Sequence, residues 1–68
     1  MKELGKVNKY NGYDGTIVNQ SGEEYILLNT QIEEEKEVEQ GSLVTFVPET
    51  YKNKVKIARF VEPFKKDK

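Results

Sequence analysis

Sixty-eight residues with a formal net charge of −1 and 34% charged side chains allow one small domain and no second. The chain has neither cysteine nor histidine, which excludes disulfide bracing, thiolate chemistry, cysteine-based metal sites and the usual general base near neutral pH. No apolar run approaches the ~20 residues of a membrane-spanning helix and no hydrophobic segment follows a basic leader, so the expectation is a soluble, cytoplasmic, monomeric domain without cofactor or metal.

Turn chemistry divides the chain into five short strands. The first, at residues 4–10, ends at Asn11-Gly12, and Asp14-Gly15 follows on the far side of Tyr13. Gly, Asn and Asp tolerate positive φ or bond back to their own backbone, so these pairs predict a tight return into a second strand at 16–19. Ser21-Gly22 leads to a third strand at 24–29 and Gln40-Gly41 to a fourth at 43–47. Tyr51-Lys52-Asn53 then turns the chain into a fifth at 54–61. Each segment is rich in Val, Ile, Leu, Thr, Tyr or Phe, and none holds a helical period. Pro48 and Pro63 are expected just beyond the fourth and fifth strands, where a missing N–H does least harm.

Residues 30–40 read differently. Thr30 and Glu33 stand at capping-box spacing, and Glu33, Glu34 and Glu35 suit the positive end of a helix dipole. Their mutual repulsion and Gly41 limit any helix to one or two turns. A short helical or irregular connection between strands 3 and 4, anchored by Ile32 and Val38, is the expectation. Strict alternation breaks twice. Val7 facing inward would also send Lys9 inward, and Val55 and Ile57 share one phase while Ala58 and Phe60 share the other. A β-bulge near each break reconciles the pattern, as sharply bent barrels require. The expected fold class is therefore all-β: a five-stranded antiparallel Greek-key barrel of the OB type over residues 1–64, with a flexible basic tail at 65–68. A five-stranded SH3-like barrel has similar strand statistics.

Charge is polarised along the chain. Glu23 to Glu39 holds seven acids against one base, and Thr50 to Lys68 holds seven bases against two acids. Such asymmetry either builds a positive face or only solvates the outer faces of strands. The acids at 33–37 lack the Asp/Asn/Gly spacing of a preformed calcium loop, so a solvated connection is the plainer reading than a cation site. No nucleophile or partner base accompanies the carboxylates, and no enzyme is expected.

Gly5-Lys6-Val7-Asn8-Lys9-Tyr10-Asn11 resembles the opening Gly-x-Val-Lys-Trp-Phe-Asn of the bacterial cold-shock domain. Asp14-Gly15-Thr16-Ile17-Val18 falls where that family has its aromatic second strand. Glu23-Glu24-Tyr25-Ile26-Leu27-Leu28 with Ile32 resembles the acidic lead-in and third strand. Glu39-Gln40-Gly41-Ser42-Leu43-Val44-Thr45-Phe46 is similar to the opening of the fourth, and Ala58-Arg59-Phe60 to the close of the fifth. The likeness runs from residue 4 to 61. It implies an OB-type barrel that binds single-stranded RNA or DNA by stacking bases on rings of strands one to three.

At the matching positions this chain carries Lys9, Thr16, Val18, Ile26, Leu28 and Asn29 instead of rings, and a one-residue shift of strand three would place Tyr25 there. The resemblance then implies weak, largely sequence-independent binding. Lys6, Lys9, Lys54, Lys56 and Arg59 would meet phosphates, and Tyr10 with Tyr13 or Tyr25 would stack bases. Other roles stay open. The tyrosines can cap the barrel rim, and Lys54 and Lys56 can guard an edge strand. Val18, Ile26 and Leu28 can centre the apolar face of a protein-interaction or accessory module that has lost nucleic-acid binding.

Overall fold

A computed structural model describes residues 2–33 and 37–64. Five strands fill them: β1 (Glu3–Tyr10), β2 (Asp14–Asn19), β3 (Glu24–Leu28), β4 (Leu43–Thr50) and β5 (Lys56–Pro63), with a 3₁₀ turn at Asn29–Gln31. The order β1-β2-β3-β5-β4 closes on itself, giving the expected all-β barrel of OB type. Every join is antiparallel except β3–β5, where Ile26 and Ile57 pair in parallel. Ile32 against Val61 extends that seam beyond the strands.

Alternation fills the interior. Ile17 from β2, Tyr25 and Leu27 from β3, and Val44 and Phe46 from β4 point inward and join Val7, Ala58 and Val61. Burying each larger aliphatic or aromatic side chain contributes roughly 1.5–3 kcal/mol. The Tyr25 and Phe46 rings lie 5.1 Å apart, tilted by 57°. Gly5 lets β1 cross this core closely, since a Cβ there would come within 2.7 Å of Ile17 Cγ2 and 2.9 Å of Phe46 Cε1.

Strands β1 and β5 each carry a bulge, in β1 where expected and in β5 further along than expected, since pairing stays regular from Lys56 to Arg59. In β1 the register steps from Val7 opposite Ile17 to Lys9 opposite Thr16, so Asn8 is the extra residue. Val7 is buried while Lys9 reaches solvent. In β5 the register passes from Arg59 opposite Val47 to Glu62 opposite Thr45. The extra residue lies at Phe60, whose φ of +53° turns its ring outward while Ala58 and Val61 stay buried.

Three other local expectations are corrected. Thr30 caps no helix: it lies inside the 3₁₀ turn, the chain is extended again at Ile32, and the Glu33 N–H donates to the Val61 carbonyl instead. Pro48 and Pro63 lie within β4 and β5 rather than past them. Beyond Phe46, β4 pairs only with β5, and an edge tolerates a proline. The β4–β5 turn also runs two residues further than expected, because Lys54 takes a left-handed φ of +68° and the Tyr51 N–H bonds across to the Val55 carbonyl. Ile32 and Val38 pack on the core as expected. The middle of the acidic run, residues 34–36, and the tail, residues 65–68, lie outside the described residues.

Candidate nucleic-acid interface

The β1 bulge shapes the outer surface of β1, β2 and β3. It turns Lys9 outward beside Thr16, which stands opposite Ile26 on β3, so these three residues form one row across three strands. Gly15 permits the close approach behind it. A Cβ at that position would lie 1.9 Å from the Lys9 carbonyl oxygen. Tyr10 follows, half-buried and packed against the core.

The β1–β2 turn is self-capped. Asn11 Oδ1 accepts the N–H groups of Tyr13 (2.8 Å) and Asp14 (3.0 Å), and the Asn29 N–H reaches the Tyr13 carbonyl at 2.9 Å. The tip is thereby fixed to the end of β3, and the Tyr13 side chain is left 75% exposed.

Between these elements lies an open groove of about 750 Å³. Lys9 and Tyr10 line it from β1, with Gln40 beside that strand, and Thr16, Ile26 and Leu28 give it an apolar floor. A smaller hollow holds Lys6 and Val18 and shares Gln40, so the two adjoin. Asp14 places one acid in the groove wall. Thr16 Oγ1 is buried there without a hydrogen-bond partner.

The proposed contact residues fall into separate groups. Lys6, Lys9 and Tyr10 share the groove surface with Ile26, Leu28 and the neighbouring Val18. Tyr25 is corrected: the register puts Ile26 and Leu28 outward and Tyr25 inward, 5% exposed, so its ring cannot meet a base. Burial and the carboxylates of Glu3 and Glu23 raise its phenol pKa.

The cations of the β4–β5 side stand apart from the groove. Lys56 Nζ lies 3.3 Å from Glu23 and 5.8 Å above the Tyr25 ring centroid. The hydrogen bond and charge of Lys56 hold the Glu23 carboxyl below its ordinary range. Arg59 is engaged by Glu49 at 2.7 Å and by the Tyr51 hydroxyl at 3.3 Å. Lys54 is exposed in the turn. None of the three lines the groove.

Neither a protein-family model nor a curated sequence matches this chain. The functional reading therefore rests on this geometry and on the residues of β1 to β3. Sequence reasoning did not single out Gln40 or Asn11 as groove residues. Gln40 arrives because the Gly41 N–H donates to the Val7 carbonyl at 2.8 Å, a tertiary pairing that no local pattern announces. Asn11 carried a signal, since an Asn before Gly often caps its own turn, and turn tips flank the ligand face of an OB barrel.

Proposed function

We propose that this barrel is a weak, largely sequence-independent binder of single-stranded RNA or DNA, akin to a cold-shock domain that has shed most of its stacking rings. One observation carries the reading: the outer surface of β1–β3 gathers Lys9, Tyr10, Ile26 and Leu28 around one groove, with Lys6 beside it. Tyr10 supplies stacking, Ile26 and Leu28 an apolar platform for a second base, and the two lysines phosphate contacts. Lys54, Lys56 and Arg59 contribute only general field, two of them being already paired with acids.

Titration of a labelled pyrimidine oligonucleotide across salt tests this. Two phosphate contacts predict a log–log slope of about −1.4, or roughly sevenfold weaker binding between 50 and 200 mM salt. Absence of association at low salt would end the proposal.

A second reading is favoured by Ile26, which is 38% exposed beside the half-buried Ile57. There the same face, centred on Val18, Ile26 and Leu28, holds a protein partner. Ile26→Asp then abolishes capture while Lys9→Glu spares it. Nucleic-acid binding makes Lys9→Glu the damaging change.

A further inference from the structure

Phe60 is demanded by neither the backbone nor the core. Its φ of +53° lies in the left-handed region, where Gly or Asn is the relaxed occupant and a bulky aromatic is an outlier. Its side chain is 55% exposed and contributes nothing to the buried cluster. The ring instead forms a ridge between two hollows on the β5 side of the barrel.

The two hollows differ in charge. On one side, a hollow of about 180 Å³ runs along Val47 and Pro48, and its Arg59 and Glu49 already satisfy each other at 2.7 Å. On the other, a hollow of about 360 Å³ lies between Phe60, Ile32, Gln31 and Glu33. The Glu33 N–H is tied to the Val61 carbonyl at 2.8 Å, which seats this residue beside the bulge. Its exposed carboxylate makes no ion pair among the described residues. Lys2, which feels the charge of Glu33, is bonded to Glu62 at 2.6 Å.

A free carboxylate, the face of an exposed ring and an aliphatic wall at Ile32 suit one side chain above others. A guanidinium can pair with the carboxylate and stack on the ring, while its methylene stem lies along the aliphatic wall. The Glu33 carboxylate disfavours phosphates and favours a basic polypeptide. We propose that the hollow between Phe60 and Glu33 docks an arginine-bearing basic segment of a partner protein. It shares no residue with the Lys9 groove, so the barrel presents two faces of opposite charge preference.

Fluorescence anisotropy with a labelled peptide of alternating arginine and leucine tests the proposal, with its glutamate-for-arginine counterpart as the control ligand. Phe60→Asn retains a residue that tolerates the left-handed bulge, and it should weaken binding about two- to fivefold through the lost ring contact. Glu33→Gln should weaken it by a similar factor, and the double variant by roughly tenfold, while Glu24→Gln and Lys9→Glu leave it within twofold. Equal weakening by Glu24→Gln would show attraction to net charge alone and overturn the site. So would equal binding of the acidic peptide, no binding of the basic one, or indifference to the double variant. Sedimentation equilibrium covers the remaining occupant: dimerisation that Phe60→Asn abolishes would assign the hollow to a second copy and refute the partner assignment.

Discussion

Thr16→Val should stabilise this protein. Thr16 stands outward on β2 between Lys9 and Ile26, and its Oγ1 is buried without a hydrogen-bond partner. An unpartnered buried hydroxyl costs ~1–3 kcal/mol in desolvation, and valine keeps the shape while removing the oxygen. Valine is also at least as favourable in a strand. Taking the low end, because the groove is open above the residue, the gain is about 1 kcal/mol. For a domain of this size that raises the melting temperature by about 4–8 °C. With a urea slope near ~1 kcal/mol per molar, the midpoint moves up by about 1 M at unchanged slope. Thr16→Ser, which keeps the hydroxyl and loses the methyl, should move it down. A lower midpoint for Thr16→Val would refute the reasoning and mean that the hydroxyl is satisfied in solution, by a bound water for instance. Because no charge changes, oligonucleotide affinity should stay within about twofold, which separates the stability effect from the binding surface.

Gly15→Ala should cost about 3 kcal/mol or more, read by chemical denaturation, because the new Cβ would meet the Lys9 carbonyl at 1.9 Å and neither backbone can yield without dissolving the β1 bulge. Lys9→Glu should weaken oligonucleotide binding about five- to tenfold at low salt and bring the salt slope from about −1.4 to about −0.7, whereas Lys54→Glu, which lies outside the groove, should leave the slope unchanged. Lys56 depresses the folded-state pKa of Glu23, so their pairing stabilises the fold above the ordinary carboxylate range and is lost as pH falls through the depressed value. Carboxyl-detected NMR titration should show the Glu23 midpoint moving up in Lys56→Gln. The accompanying change in acid stability should be slight and salt-sensitive, since both groups face solvent.

The elements of this fold announced themselves where one face of a strand meets the core. Ile17, Tyr25, Leu27, Val44 and Phe46 alternate cleanly, so β2, β3 and β4 could be read from their own residues. The β1 bulge was legible as a conflict of phase, because a buried Val7 two residues before a lysine admits no regular solution. The β5 bulge instead falls at Phe60, past the break read between Ile57 and Ala58. The local signal at Thr30 and Glu33 was real but lost to tertiary pairing. Glu33 gives its N–H to the Val61 carbonyl, whereas a capping box would have directed it to the Thr30 hydroxyl. The site was legible only in part. Lys6, Lys9 and Tyr10 lie on one strand and stayed together, while Lys56 and Arg59 were drawn to Glu23 and Glu49, 33 and 10 residues away in sequence. Summing charge along a chain counts such cations as free; only the fold pairs them.

The groove also sets how tightly the proposed ligand can be held. A base stacked on Tyr10 is worth ~1–3 kcal/mol, and two exposed lysine–phosphate contacts add about 1 kcal/mol each at moderate salt. A second base on the aliphatic floor of Ile26 and Leu28 adds about 1–2 kcal/mol of apolar burial. Together these reach roughly 4–7 kcal/mol, a dissociation constant between about 1 mM and 7 μM. Occupancy at such affinity depends on local concentration, so the barrel would serve where several copies, or a second binding element, face the same strand. Isothermal or anisotropy titration of the isolated chain checks the magnitude. A dissociation constant below about 1 μM for a short pyrimidine strand would mean that Ile26 and Leu28 do the work of the missing rings, and that stacking on aromatic side chains is not what limits this surface.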